Sequence, residues 1–356
     1  MNNADLRPLP IVDTIIEGIH GKIVNEFNLG PINVSKELQK HVVEFVPSAP
    51  HTSISAMEKA IYDGMMRFHD ATGHRYSLLG LGMHPLLTLD QTEVWDHEDK
   101  EIYDAYERVF GLRQHGWLNI QALQVNVHYG SEDRMVRMFD RLRSLIPFMV
   151  AITASSPFVE GRRTGIMDNR LLYYKRNQSR VPKICNGLIP ERLDRWKDHE
   201  DILESVYMDL RAVGGDDLCH EWVDSRGVIV RPHRECLELK AVDEQECLRS
   251  DMAITALVLA LLRADLHLEE DQGSLYEMTE EAIRRGTESC RADLRRLLAK
   301  AEASATAEEL NYLPLIRRRI EEGSVAELMD RRVKEGSSIG EVAAEMSRRL
   351  HDNVPL

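Results

Sequence analysis

The spacing of apolar residues along this chain changes period several times, and each change marks an element. Asp13–Val24 and Ser53–Ala71 both read as helices. In the second, Met57, Ile61 and Met65 recur four apart on one face, and Ser53 or Ser55 is available as a cap. His41–Val46 is a short β-branched run stopped by Pro47 and Pro50. Tyr76–Met83 leads into a turn at His84-Pro85, where proline imposes an extended residue before it. Ala122–Tyr129 alternates polar and apolar positions as a half-buried strand does. Ser131 then opens a helix, with Glu132 and Asp133 in the first turn, where the helix dipole favours acids. Met135, Met138, Phe139, Leu142, Leu145 and Ile146 give that helix an apolar stripe. Val228–Val242 reads as one long strand or a hairpin. From Asp251 onward nearly everything is helical, with charged amphipathic stretches at Ala282–Leu298 and Leu315–Leu328. Strands set among helices without regular β-α-β alternation predict an α+β fold on an antiparallel sheet, flanked by helices, with a helical C-terminal region.

Composition narrows the classes. The chain has 356 residues, 43% hydrophobic, which suffices for one large domain or two modest ones. A net charge of −14 argues against nucleic acid and anionic membranes as partners, because phosphate backbones need a basic face. The five cysteines are scattered, with no C-x-x-C spacing, so neither a disulfide framework nor a structural zinc is expected. MNNADLRPLP lacks a signal peptide's basic and apolar regions. The most apolar run, Met252–Leu262, is shorter than the roughly 20 residues of a membrane span and reads as a buried helix. The expected location is the cytoplasm. No repeat and no G-x-x-x-x-G-K phosphate loop is present, and Gly80-Leu-Gly82 lacks the third glycine of a dinucleotide loop.

Three strands carry an unusual polar face. Gln124, Asn126 and His128 point one way, opposite Leu123, Val125 and Val127. Glu44 lies opposite Val43 and Phe45, and Glu238 and Lys240 share a face opposite Leu237, Leu239 and Ala241. The plain reading is a sheet with one solvated face. Carboxylates, amides and a lysine together also suit hard cations and phosphate oxygens: Glu44 and Glu238 as magnesium ligands, Lys240 against a transferring phosphoryl group. Ala154–Arg170 is a polar loop with two glycines, whose Arg162, Arg163 and Arg170 either grip a carboxylate or phosphate or pair with Glu160 and Asp168. Ser155-Ser156 has no G-x-S-x-G elbow around it, and the histidines lack H-E-x-x-H spacing.

These residues resemble a known family. Leu123-Gln-Val-Asn-Val, Ser131-Glu-Asp, Pro147 and Ala154-Ser-Ser-Pro-Phe-Val-Glu-Gly-Arg…Asn-Arg170 look like the core of glutamate–cysteine ligases and bacterial carboxylate–amine ligases. Lys36-Glu-Leu…Glu44, Gly82-Met-His-Pro85, Ile189-Pro-Glu191 and His220-Glu-Trp…Glu238-Leu-Lys240…Asp243 follow in the same order. The resemblance covers roughly residues 5–265 and implies a catalytic domain over 1–265, with 266–356 a helical extension packed on it. It implies a curved antiparallel sheet of glutamine-synthetase type carrying ATP and magnesium, on which a carboxylate is phosphorylated and then captured by an amine. By that resemblance Glu44 and Glu238 bind metal or the substrate amine, Gln124 and Asn126 line the strand beneath metal and nucleotide, and Arg170 holds the substrate carboxylate or the phosphoryl group. Lys240 joins Arg170 as a catalytic candidate, and His128 and Arg162 are further candidates for binding the nucleotide. Lys240 stands where the family has arginine, keeping the charge and losing the bidentate fork. The partners implied are an amino acid and an amine, and the charged C-terminal helices offer a surface for a second copy. Family members begin with a Glu-x-Glu strand just upstream of Asp5-Leu-Arg-Pro, so the expectation is a start placed downstream of that strand, or a non-catalytic relative of the same fold.

Overall fold

α1 (Val12–His20) stops at Gly21, whose φ of 88° suits a residue without a Cβ. A short antiparallel meander follows, β1 (Glu26–Asn28), β2 (Ile32–Lys36) and β3 (Val43–Pro47). Ile32 and Val34 face inward and are fully buried. They meet α2 (Ile54–Ala71), where Ser53 Oγ accepts the Ala56 N–H at the first turn. Gly64 is the point of closest approach, since a Cβ there would lie 2.5 Å from the Ile32 side chain. This sheet's underside forms a small core of its own with Val12, Ile16, Phe68 and Trp95.

The next elements are α3 (Lys100–Phe110), α4 (His115–Leu118) and β4 (Val125–His128). α5 (Glu132–Thr153) begins at Ser131, whose hydroxyl accepts from Arg134 N–H. Its predicted stripe is buried from Met135 to Ile146, and every residue from Leu142 to Thr153 is enclosed. The hairpin β5 (Phe158–Val159) and β6 (Arg162–Arg163), α6 (Asn169–Tyr174) and α7 (Trp196–Ala212) lead to β7 (Val228–Arg231) and β8 (Cys236–Leu239). β7 and β8 form a hairpin, the second of the two readings of Val228–Val242, turned by Pro232–Arg234 with Glu235 left-handed. β8 lies between β4 and β7.

α8 (Leu248–Arg263), α9 (Gln272–Arg285), α10 (Arg291–Ser304), α11 (Leu313–Glu322), α12 (Val325–Lys334) and α13 (Ile339–Asp352) complete the computed structural model, which describes residues 1–356. The two amphipathic stretches expected here are each broken: the first at Gly286 (φ 59°), the second at Gly323 (φ 117°). The main core joins the α5 stripe, the inner face of β4, β7 and β8, and α8 with Leu275, Ile283, Leu294, Leu298 and Ile316 from beyond residue 265. No helix is long and apolar enough to cross a membrane.

The fold is mixed, helices with small antiparallel sheets. The single curved sheet expected from the resemblance is not what the hydrogen bonds draw. Two three-stranded sheets and one hairpin take its place. The reason lies in packing, because β1–β3 rests on α2 while β4, β8 and β7 rest on α5.

Candidate functional site

The register of the first sheet aligns Glu26 with Ser35 and Ser35 with Glu44, so all three share the face turned away from Ile32 and Val34. Glu37 stands two residues beyond Ser35, where the same face continues. In the second sheet Glu238 lies opposite Asn126 on β4 and Ile229 on β7. Leu237 and Leu239 beside it are buried in the main core, which directs Glu238 and Lys240 to the other side.

Those two polar faces sense one another. Glu44 is pushed up to about 8, first by burial, then by repulsion from Glu37 and Glu238, with Arg234 offsetting part of it. Burial raises Glu37 as well; Lys36 and Lys240 pull it down and Glu238 pushes it up. Glu238, 1% exposed, would be raised by burial, but Lys240 and Arg231 outweigh that and hold it below the usual carboxylate range. Arg231 Nε lies 2.8 Å from Glu238 Oε2, and Lys240 Nζ lies 3.8 Å from Oε1. Burial lowers Lys240, yet the facing Tyr174 and Glu238 carry it above the ordinary lysine value. A cleft between two sheets therefore gathers Glu37, Glu44 and Glu238 with Lys36, Lys240, Arg231 and Arg234 near them.

Under Lys240 lies a buried polar strut. Arg170, 2% exposed, pairs through Nε with Asp243, and its other two nitrogens reach the Lys240 carbonyl at 3.3 and 3.4 Å. Asp243 also accepts from the Ser155 N–H and the Ser156 hydroxyl, both at 2.9 Å. Gly82 N–H donates to Ser155 Oγ at 2.7 Å, and a Cβ on Gly82 would sit 2.3 Å from the Asp243 carboxylate. That close approach explains the glycine in Gly82-Met-His-Pro85. Burial and the neighbouring Asp243 raise Asp168 well above its ordinary value, against the pull of Arg170 and the Leu171 N–H.

The sequence-derived residues thus fall into three sets. Glu44, Glu238 and Lys240 converge, although from two sheets. Asn126 shares the Glu238 face and is exposed, Gln124 is half-buried beside it, and His128 sits at the strand's far end with Nδ1 2.9 Å from the Glu235 carbonyl. Arg162 is exposed on the β5–β6 hairpin and makes no ion pair, while its neighbour Arg163 binds Asp330 at 2.6 Å. Arg170 needs correcting: it faces Asp243 in the interior instead of an open pocket, so direct contact with a substrate carboxylate is not its geometry. Ser155 and Ser156 spend their hydroxyls on this network too. His84, 4% exposed, holds the Leu6 carbonyl at 2.9 Å through Nε2 and accepts from Leu86 N–H through Nδ1. Glu37, Arg231 and Tyr174 were missed. The motif Lys36-Glu-Leu contained the signal for Glu37, but β2 has to be recognised before its face can be assigned.

One trio, Asp13, Asp96 and His97, brings its donor atoms within 4.8 Å of one another. Lys40 Nζ already sits there, 3.0 Å from Asp13 and 2.6 Å from Asp96, and takes the place of a cation. Of Glu37, Glu44 and Glu238, only Glu238 is ion-paired, with Arg231 and Lys240, and the other two carboxylates have no cation in that place. Their mutual repulsion is what a divalent ion would relieve, so the donor set fits magnesium.

The model of "Glutamate-cysteine ligase family 2(GCS2)" matches residues 9–351. The chain belongs to this family. An uncharacterized protein of Archaeoglobus fulgidus is 44% identical over 99% of this chain and 96% of its own length. A protein of Ruegeria pomeroyi named "Putative glutamate--cysteine ligase 2" is 28% identical over 65% of this chain and 56% of its own. Among solved structures, a bifunctional glutathione synthetase from Pasteurella multocida superposes with a TM-score of 0.61 at 13% identity, over 90% of this chain and 48% of that one. The likeness is one of fold. The family model runs through the C-terminal helices to α13, whereas the residues that carried the resemblance end near 265.

Proposed function

We propose that the chain is an ATP- and magnesium-dependent carboxylate–amine ligase that forms a γ-glutamyl or similar amide. The observation that supports this most is the meeting of Glu37, Glu44 and Glu238 from separate sheets around a cleft that contains Lys240. Membership of glutamate–cysteine ligase family 2 points the same way. In this reading the two sheets act as facing walls of one pocket, the role a continuous curved sheet was expected to fill.

The three glutamates would hold the divalent ions. Arg231 keeps Glu238 ionised and fixed, so that carboxylate needs no proton loss before it coordinates. Glu44, at about 8, has to give up a proton as the ion arrives. Lys240 presents a full positive charge to anionic oxygens, and its backbone is anchored from below by Arg170 and Asp243. Gln124 and Asn126 would face the nucleotide with amide groups, with His128 and Arg162 toward the rim. Bound magnesium–ATP supplies the phosphoryl group that turns a carboxylate into an acyl phosphate, open to attack by an amine. The amino acid and the amine are the substrates, and glutamate with cysteine is the first pair to try.

The test is ADP formation by the purified chain across a matrix of amino acids and amines, with magnesium. Coupled ADP release that needs both an acid and an amine supports a ligase. ADP release that needs neither is ATP hydrolysis and overturns it; none with any pair also overturns it and leaves a non-catalytic member of the family.

A further inference from the structure

Away from the carboxylate cleft, α2, the turn after it and α13 enclose a cavity of about 270 Å³, and none of its lining residues belongs to the site above. Three histidines from these three segments line it: His69 near the end of α2, His74 in the following turn and His351 in the last turn of α13. His69 is central. Its ring centre lies 4.4 Å from that of His74 and 5.1 Å from that of His351, at interplanar angles of 77° and 60°.

Several observations separate this cluster from surface histidines that merely touch. His74 has a left-handed backbone (φ 56°), uncommon for a residue with a Cβ, and that conformation turns its ring back onto His69. The rings of His69 and His351 make no hydrogen bond; the contacts of these residues run through their backbone carbonyls, to Thr72 and Tyr62. Asp70 Oδ1 lies 3.3 Å from His74 Nε2, as a carboxylate orienting a metal-binding imidazole does. A tetrahedral ion bonded to two imidazoles at about 2.0–2.1 Å holds their ring centres on the order of 5 Å apart. The two observed separations bracket that spacing.

We propose that His69, His74 and His351 form a binding site for a borderline transition-metal dication of the zinc class, clipping α13 to α2. Imidazole donors suit Zn²⁺, Ni²⁺ and Cu²⁺ and not the oxygen-seeking Mg²⁺ of the cleft. Donor nitrogens not yet at single-ion distance reach it by turning the exposed His74 and His351 rings. Met65 and Met66 line the cavity floor, and Arg348 at its mouth is the cation that a metal would have to tolerate.

The experiment is calorimetric titration of the full chain with Zn²⁺, backed by the visible absorption of Co²⁺ as a geometry probe. One Zn²⁺ per chain is expected, with a tetrahedral Co²⁺ spectrum and a melting temperature raised by the metal. His351→Gln and His74→Gly are each expected to weaken binding at least about tenfold. His74→Gly removes a ligand while relieving the left-handed backbone, so it folds at least as well as the parent. Glu44→Gln retains the Zn²⁺ site, which keeps the two sites distinct. No Zn²⁺ binding by the parent, or equal affinity in the parent and both histidine variants, overturns the proposal.

Discussion

At pH 7 most Glu44 side chains in the metal-free protein carry a proton, because burial and the charges of Glu37 and Glu238 hold the group at about 8. The unfolded chain loses that proton near 4.5. Between those values the folded state binds the extra proton, so this residue makes stability fall as pH rises from about 4.5 to 8. Thermal melts at pH 5 and pH 8.5 should therefore show Glu44→Gln flattening the decline, and Mg²⁺ should stabilise the parent more at pH 8.5 than at pH 5. A steeper decline in the variant would contradict the assignment. Lys240 gives a second prediction. Lys240→Gln should lower kcat/KM for the coupled reaction by about 10²-fold or more while the chain stays folded, and Lys240→Arg should recover part of it. Retained activity in Lys240→Gln would remove lysine from the chemistry. Glu44, Glu238 and Lys240 were legible in the sequence because strand alternation alone states which way they point. Arg170 was legible as important but not as buried, since its partner Asp243 is 73 positions away and nothing local announces it.

The same division holds at the scale of elements. α2 and α5 could be read because each combines a serine cap with an apolar stripe, and both caps are made as expected. β2 was missed: five residues, Ile-Asn-Val-Ser-Lys, alternate too briefly to stand out, and with it went the face that carries Glu37. α3 and α7 were also overlooked, their apolar positions diluted by charge. The junction between α2 and β2 yields a prediction of its own. Alanine is favoured over glycine inside a helix by about 1 kcal/mol. At Gly64, however, the added methyl would sit 2.5–2.7 Å from three Ile32 carbons. Overpacking of that kind costs about 1–3 kcal/mol, so Gly64→Ala should lower the denaturation midpoint. Ile32→Val in the same chain should restore part of it. A variant more stable than its parent would mean that α2 and β2 are less tightly joined than described.

Across the whole molecule, one core runs from the α5 stripe into α9, α10 and α11. A chain cut after residue 265 loses Leu275, Ile283, Leu294, Leu298 and Ile316 from that core and leaves α5 and α8 with uncovered apolar faces. It should aggregate or lose its cooperative melt, and a soluble, cooperatively folding 1–265 fragment would show the C-terminal helices to be dispensable. The division of the sheet could not be read from the sequence, because it depends on which helix each short strand packs against. The central claim is that two separate sheets place Glu37, Glu44 and Glu238 around one magnesium–nucleotide site. Its most direct test is a calorimetric titration of magnesium into the full chain with a non-hydrolysable ATP analogue, repeated for Glu37→Gln, Glu44→Gln and Glu238→Gln. The expected result is saturable binding that each substitution weakens at least about tenfold in a chain that still melts cooperatively. Magnesium affinity unchanged in all three variants would contradict it.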